Sequence, residues 1–150
     1  AQRTGWAGMI GGQAADIAGQ SQDPSLDYTQ YIHELKTAAL FEAACRLGAI
    51  VGRGEAHDVA ALGRFGRCLG RAFQIADDLL DVSSTAEKLG KKAGKDEVAG
   101  KQTYPRCVGV EQSRAAAKAA ADAAIAEIDG YGTTADDLRE IAAYAASRSF

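Results

Sequence analysis

Cysteine is scarce in this chain, and the spacing of the three cysteines argues against two common ways of stabilising a small domain. Cys45, Cys68 and Cys107 lie far apart, and none belongs to a Cys-x-x-Cys pair. Closely spaced pairs of that kind are expected in structural zinc sites, and an even set of cysteines is expected in a disulfide framework. We therefore predict that the cysteines are reduced thiols in the core or at the surface.

Long apolar runs and basic surfaces are also missing. No stretch approaches the ~18 consecutive apolar residues that a membrane-spanning helix needs. The first residues lack the charged and apolar regions of a secretory signal. The net charge is −3, and the sequence shows no basic face beyond a local group of lysines. This argues against general nucleic-acid binding. We predict a cytoplasmic protein with no membrane span and no nucleic-acid partner.

The alternation of apolar and polar residues that marks a half-buried strand is not found either. Helical periodicity runs through most of the chain, and no linker is long enough to separate domains. With 47% hydrophobic residues, residues 1–150 are able to form one domain with its own core. The predicted fold class is all-α. The first predicted helix ends near residue 19. The next two span 27–51 and 55–82, and a short turn or helix follows at 103–109. A further helix spans 111–129, and the last one ends near residue 148.

What the sequence does contain is an acidic motif inside an apolar segment, at residues 73–81. At about 100° per residue, Asp77, Asp78 and Asp81 fall on one face of a helix, and the apolar residues fall on the other. Neighbouring carboxylates repel one another and would partly protonate unless cations hold them ionised. Mg²⁺ suits such oxygen ligands, because it commonly takes one or two carboxylates and completes its shell with water and phosphate oxygens. The motif therefore predicts a magnesium site.

Two alternatives stay open at this point. Arg67 and Arg71 lie near the same stripe, so the motif would also be compatible with a solvated acidic face that these arginines assist. A second acidic pair, Asp136 and Asp137, follows Thr134 in a pattern that resembles a capping box. Acids are favoured at a helix start. We therefore predict a helix cap at this second pair, and not a metal site.

A glycine- and lysine-rich stretch follows the acidic motif, at residues 89–105. A helical metal site followed by a cationic loop is typical of a diphosphate site, although an ordinary solvated loop is the alternative. A nucleotide P-loop is excluded, because neither Gly94-Lys95 nor Gly100-Lys101 is followed by Ser or Thr and no strand precedes them. The stretch therefore predicts local phosphate recognition.

Together these segments resemble the trans-prenyl diphosphate synthases, the farnesyl and geranylgeranyl diphosphate synthase family. The resemblance runs from about Gly8 to the C-terminus, in the order that the family shows. It rests on the GGQ segment at 11–13 with Asp16, the HELKT segment at 33–37, the FQxxDDxxD segment at 73–81 and the GKxxGKDxxxGKxTYP run at 90–105. Family members are longer and carry a first aspartate-rich motif in their upstream half. The chain therefore resembles the C-terminal half of a helical bundle of the class I isoprenoid synthase type.

The resemblance implies a prenyltransferase. Its reaction would be the Mg²⁺-dependent ionisation of an allylic diphosphate and condensation with isopentenyl diphosphate, which gives farnesyl or geranylgeranyl diphosphate. The resemblance also implies a homodimer in the full-length form, and a chain that is inactive by itself because the first acidic motif is missing. Two other classes stay open: a noncatalytic partner or regulatory subunit of such a synthase, and another class I terpenoid enzyme such as a terpene cyclase.

The same resemblance implies a set of metal-binding residues. Asp77 is the implied direct Mg²⁺ ligand, and Asp78 and Asp81 support it by coordination or through bound water. Asp96 is implied to bind a metal-bound water. All four stay expectations at this point, because they depend on the family motif as well as on the acidic face.

Other residues are implied to contact the substrates. Those implied as catalytic are Lys36, Thr37 and Gln74. Those implied to bind substrate are Gln13, Asp16, Lys91 and Lys101. In these roles the lysines meet diphosphate oxygens, Asp16 orients Lys36, and the hydroxyl and amide oxygens lie beside the reacting hydrocarbon. Plainer readings exist, such as a snorkelling lysine at Lys36, a buried amide at Gln13 and a polar helix residue at His33.

Overall fold

The computed structural model describes residues 1–89 and 100–148, with the backbone alone for residues 83–89. Within these ranges the regular secondary structure is helical, which confirms the all-α prediction. The α-helices are α1 (Met9–Ala18), α2 (Leu26–His33), α3 (Ala39–Val51), α4 (Ala56–Leu89), α5 (Tyr104–Val108), α6 (Val110–Glu127) and α7 (Asp136–Ser147). No helix in the described ranges is long and apolar enough to cross a membrane.

The long helix α4 is the centre of the fold, with α3 and α6 as its principal neighbours. Its buried Phe65 and Leu69 pack against side chains of α6 and α7, including Ile128 just after the end of α6. Most of the facing residues are alanines, so the helices approach closely. The core cluster consists of Phe65, Leu69, Ala124, Ile128, Ala135, Ala142 and Ala145.

The predicted helix at residues 27–51 is one continuous helical run, but it is not uniform. A π-helical turn, Glu34–Ala38, joins α2 to α3. A π turn closes its hydrogen bonds one residue later than an α-helix, and such turns occur often at functional sites. Lys36 and Thr37 lie within it, so their side chains leave the helix at angles that a regular α-helix would not give.

Helix α1 crosses this π turn at Gly12. A Cβ atom at Gly12 would collide with the backbone of Lys36, so only glycine permits this approach. Gly12 therefore allows close packing of α1 against the π turn. The contact brings Asp16, one turn further along α1, to the same turn as Lys36.

Two predicted helix ends are wrong. α4 does not stop at residue 82 but continues to Leu89. The capping box at Thr134 does not form, because the Thr134 hydroxyl donates to the carbonyl oxygen of Tyr131 (2.6 Å). Helix α7 begins at Asp136 without a side-chain cap. Asp136 instead pairs with Arg139 at 2.7 Å in the first turn of the helix.

Candidate active site

The best-defined contact of the site joins Asp16 of α1 to Lys36 of the π turn. The ammonium nitrogen of Lys36 donates to Asp16 Oδ2 at 2.6 Å. The Asp16 side chain is only 7% exposed, whereas that of Lys36 is 29% exposed. A buried carboxylate is costly without a partner. The ion pair therefore fixes the Lys36 ammonium group in one position, while the side chain as a whole stays partly exposed.

The π turn is joined to α4 through Thr37 and Gln74. The hydroxyl of Thr37 donates to Gln74 Oε1 at 2.5 Å. The amide nitrogen of Gln74 points towards Asp78 Oδ1 at 3.3 Å and Asp77 Oδ2 at 3.5 Å. With its oxygen and nitrogen both engaged, the Gln74 amide has one orientation. This chain of contacts connects the substrate residues implied by the sequence to the acidic motif.

The three carboxylates of the acidic motif lie in different surroundings. Asp78 is buried, Asp77 is partly buried and Asp81 is exposed. Asp77 and Asp81 are one helical turn apart on the same face, and Lys101 Nζ lies 3.3 Å from Asp81 Oδ2. The predicted acidic face is therefore carried by two carboxylates that reach the surface.

These residues fit Mg²⁺. Among the side chains that the structure describes, no group of three or more acidic, His or Cys residues forms a complete metal cage. Mg²⁺ does not require such a cage, since it commonly binds one or two carboxylates and keeps water and phosphate oxygens in its other positions. Asp77 and Asp81 supply that kind of partial, all-oxygen donor set.

Lys101 carries its positive charge close to this face. Burial alone would lower the pKa of Lys101, but attraction to Asp81, the hydrogen bond with it, and attraction to Asp16 and Asp78 together raise the pKa. Lys101 is therefore fully protonated at neutral pH. Its side chain is 42% exposed, so the charge is available to an anionic ligand.

The arginine pairing expected for a solvated acidic face is not observed. Arg67 Nε donates to Glu34 Oε2 at 2.6 Å, and Arg71 donates to the other oxygen of Glu34. The hydrogen bond that Arg67 donates to Glu34 is also the main cause that raises the pKa of Arg67. Both arginines therefore pair with Glu34 in the π turn.

Gln102 was missed by the sequence analysis, although it positions the neighbouring Lys101. Its side chain is buried, with the residue 3% exposed. The amide oxygen accepts from Ser25 N at 3.1 Å, and the amide nitrogen lies within 3.3 Å of the carbonyl oxygens of Gly19, Gln22 and Asp23. The segment that carries Lys101 is thereby fixed to the turn between α1 and α2. No periodic pattern in the sequence signals such a contact.

His33 and Tyr104 were also missed as neighbours of the acidic motif. His33 Nε2 lies 3.1 Å from Asp78 Oδ2. The backbone nitrogen of Tyr104 donates to the same oxygen at 2.8 Å. His33 is only 4% exposed, so it is more than a polar residue on a helix surface. The one available signal was a histidine three residues before Lys36 in an otherwise regular helix.

The remaining predicted site residues fall in two groups. Gln13 lies on α1, one turn before Asp16, and is partly buried. Lys91 and Asp96 lie outside the described residues, so their predicted roles stay predictions. The residues that the structure brings together are Asp16, Lys36, Thr37, Gln74, Asp77, Asp78, Asp81 and Lys101.

Comparison with known proteins covers nearly the whole chain. The family model described as polyprenyl synthetase matches residues 4–143. The chain is 41% identical over 152 residues to geranylgeranyl pyrophosphate synthase 11, chloroplastic, of Arabidopsis thaliana. That match covers 99% of this chain and 43% of the Arabidopsis protein. The chain therefore spans less than half the length of this relative.

Two solved structures share the fold. The apo structure of an FPP/GFPP synthase from Zymomonas mobilis is 38% identical, with a TM-score of 0.79, over 96% of this chain and 47% of that chain. The structure of geranyltransferase from Helicobacter pylori complexed with magnesium and isoprenyl diphosphate is 26% identical, with a TM-score of 0.75, over 97% and 48%. On the match of residues 4–143, together with these similarities, the chain belongs to the polyprenyl synthetase family.

Proposed function

We propose that the protein containing this chain is a Mg²⁺-dependent prenyltransferase. It condenses an allylic diphosphate with isopentenyl diphosphate to give farnesyl or geranylgeranyl diphosphate. The observation that carries the proposal is a connected array of carboxylates and lysines. Asp77 and Asp81 form its acidic face, Lys101 pairs with Asp81, and Lys36 is held by Asp16. The names of the relatives support the same reaction.

The lysines and the acidic face act on the diphosphate. Mg²⁺ bound by Asp77 and Asp81 would supply positive charge at the leaving group. Lys36, held by Asp16, and Lys101, beside Asp81, place further positive charge where the negative charge of the departing diphosphate develops. Because both lysines are already oriented, little reorganisation is needed when the substrate ionises. By resemblance, Lys91 and Asp96 belong to the same group.

Thr37 and Gln74 act on the hydrocarbon. When the Thr37 hydroxyl donates its hydrogen bond to Gln74, both lone pairs of its oxygen stay available as acceptors. An oxygen in this position stabilises cationic character on a nearby carbon without reacting with it. Gln13, on the neighbouring helix, is proposed to contribute an amide oxygen to the same region. The released diphosphate, and no protein side chain, is the base for the final proton loss.

The activity belongs to the complete synthase and not to the 150 residues alone. The chain matches 43% of one relative and 47% of another. In the family that it resembles, metals are held between two acidic motifs, and this chain carries one of them. We propose that the remaining part supplies the second motif and that the complete protein is a homodimer. A cytoplasmic location stays a prediction, since the Arabidopsis relative is named chloroplastic.

The test is prenyl transfer by the full-length protein. Purified protein would be incubated with labelled isopentenyl diphosphate and with dimethylallyl, geranyl or farnesyl diphosphate. The expected result is Mg²⁺-dependent, EDTA-sensitive incorporation into C15 or C20 products, which are identified by chromatography after dephosphorylation. The 150-residue chain alone is expected to give no incorporation.

Other outcomes would contradict the proposal in identifiable ways. Cyclised hydrocarbon products without incorporation of isopentenyl diphosphate would indicate another class I terpenoid enzyme. No product from any primer, together with stimulation of a separate synthase, would indicate a noncatalytic subunit.

A further inference from the structure

We propose that Asp78 is a positioning residue, not a Mg²⁺ ligand, and that His33 acts through it. The unit formed by His33, Asp78 and the backbone nitrogen of Tyr104 is called the His33 clasp below. The inference rests on the proposed function, because it assigns roles within the same site. It replaces the expectation that Asp78 supports the metal with a different role for that carboxylate.

The oxygens of Asp78 are already engaged by protein donors. Oδ2 accepts from the backbone nitrogen of Tyr104 at 2.8 Å and lies 3.1 Å from His33 Nε2. Oδ1 lies 3.3 Å from the amide nitrogen of Gln74. The Asp78 side chain is only 3% exposed, whereas that of Asp81 is 53% exposed. Mg²⁺ usually keeps several water ligands, so it binds most readily to a carboxylate that solvent reaches. Solvent reaches the Asp81 side chain but not that of Asp78.

The contact with His33 Nε2 offsets the free-energy cost of burying the Asp78 carboxylate. A buried carboxylate is strongly destabilising unless it is paired and hydrogen-bonded. The His33 side chain is 5% exposed, and its ring stacks on that of Tyr104 at a centroid distance of 6.0 Å and an interplanar angle of 24°. The stacking fixes the imidazole plane, so Nε2 is held towards Asp78 Oδ2.

The clasp joins three segments that each carry part of the site. His33 ends α2 and lies three residues before Lys36 of the π turn. Asp78 is adjacent to Asp77 on α4. Tyr104 begins α5, three residues after Lys101. The clasp therefore sets the distance between the metal-binding face and both lysines. A displacement of a reacting group by about 1 Å lowers the reaction rate by roughly a hundredfold in some enzymes.

The first experiment separates a ligand from a positioning residue by metal affinity. Binding of Mn²⁺, as a substitute for Mg²⁺, would be measured by electron paramagnetic resonance in full-length protein with inorganic diphosphate present. Asp77→Asn is expected to weaken Mn²⁺ binding by about tenfold or more, since it removes a charged ligand. Asp78→Asn is expected to change it by less than about threefold. Equal losses in the two variants would overturn the proposal.

The second experiment uses kinetics and a double-mutant cycle. His33→Leu is expected to lower kcat by about tenfold to a hundredfold, with the half-saturating Mg²⁺ concentration unchanged. His33→Gln, which returns an N–H donor, is expected to recover most of the activity. The double variant with Asp78→Asn is expected to be no slower than the slower single variant, because both changes break the same contact. Multiplying effects would show that His33 and Asp78 act separately.

One control variant keeps these results interpretable. His57→Leu changes the exposed histidine, whose side chain is 74% exposed, and is expected to leave kcat unaltered. Space for the leucine at position 33 exists, since His33 lines a cavity of about 290 Å³.

A further measurement does not depend on turnover. The ¹⁵N-coupled imidazole proton at Nε2 of His33 is expected to be protected from solvent exchange in the full-length wild-type protein and unprotected in Asp78→Asn. An unprotected proton in the wild type would overturn the clasp. If the wild type does not transfer prenyl groups, the proposed function fails, but the Mn²⁺ and NMR results still decide the role of Asp78.

Discussion

The hydroxyl of Thr37 donates a 2.5 Å hydrogen bond to the side-chain oxygen of Gln74, across 37 residues of sequence. Thr37 belongs to the π turn, and Gln74 lies on α4 at the start of the acidic motif. The bond fixes the amide so that its nitrogen faces Asp77 and Asp78. A change at Thr37 therefore reaches the metal-binding face even though Thr37 does not touch it.

Thr37→Val tests this link, because it removes the hydroxyl and keeps nearly the same shape. We expect kcat of the full-length protein to fall by about tenfold to a hundredfold, with a stability loss of about 1 kcal/mol from the broken hydrogen bond. Thr37→Ser retains the hydroxyl and should stay close to the wild type. Steady-state kinetics and urea denaturation give the two quantities. A serine variant as slow as the valine variant would mean that the methyl group, not the hydroxyl, is what matters.

Asp77→Ala should remove Mg²⁺-dependent turnover, with a fall of about a thousandfold or more, while the far-ultraviolet circular dichroism stays unchanged. The reason is that Asp77 is on the surface face of α4 and contributes charge, not packing. Asp136→Ala is the matched control. It weakens the start of α7 and should cost ~1 kcal/mol or less without a change in kcat. A comparable loss of turnover in Asp136→Ala would mean that the metal site lies at the second acidic pair and not at Asp77.

Lys101→Met keeps much of the side-chain stem and removes the cation. A hydrogen bond to a charged group contributes ~1.5–3 kcal/mol, so kcat/KM for the diphosphate substrates should fall by about tenfold to a hundredfold. The melting temperature should change little, because Lys101 is partly exposed. Lys118→Met provides the control: Lys118 pairs with Asp122 on the outer face of α6, and its side chain is 74% exposed. If kcat/KM is as little changed in Lys101→Met as in Lys118→Met, Lys101 lies on ordinary surface and does not bind diphosphate. The resemblance extends the same prediction to Lys91→Met.

Tyr131→Phe should have an effect that depends on pH at both ends of the scale. The Tyr131 hydroxyl donates to Asp58 Oδ1 at 2.7 Å. This bond is the main cause that lowers the pKa of Asp58, and the same bond is the main cause that raises the pKa of Tyr131. A lowered carboxyl pKa stabilises the fold above the unfolded value of about 3.9, and this contribution is lost as the pH falls through the folded value. A raised phenol pKa stabilises the fold below about 10, and this contribution is lost as the pH rises.

The melting temperature of Tyr131→Phe should therefore lie below that of the wild type near pH 7, by about 2 °C or less, because the pair is only partly buried. The difference should shrink below about pH 4 and above about pH 10. Differential scanning calorimetry across this range is the measurement. A difference that stays constant with pH would show that the hydroxyl acts through packing alone.

The sequence predicted the helical fold well, because apolar periodicity survives in every long helix. It did not predict the π turn, since one extra residue within a single turn leaves the apolar pattern of the flanking helices almost unchanged. The end of α4 was also placed too early. Polar residues after Val82 resemble a loop when they are read locally, but helical propensity carries the backbone on to Leu89.

The candidate site was predictable in its parts and not in its connections. Asp77 and Asp78 lie on the same polar face by helical spacing, so periodicity alone does not show that one is buried and the other is not. That difference comes from His33 and Tyr104, which approach from elements distant in the sequence. Gln102 illustrates the same limit, because its four polar contacts all lie in the turn between α1 and α2.

The π turn has a consequence for how the site responds to changes in chain length. Each residue of an α-helix advances the direction of its side chain by about 100°, so a one-residue deletion between Glu34 and Ala38 would let the turn relax into regular α-helix. Lys36 and Thr37, or the residues that replace them, would then point away from Asp16 and Gln74 although no functional residue had been substituted. The site depends on the phase of this helix as much as on its chemistry. An insertion or deletion here is therefore a more disruptive change than most substitutions at the same positions.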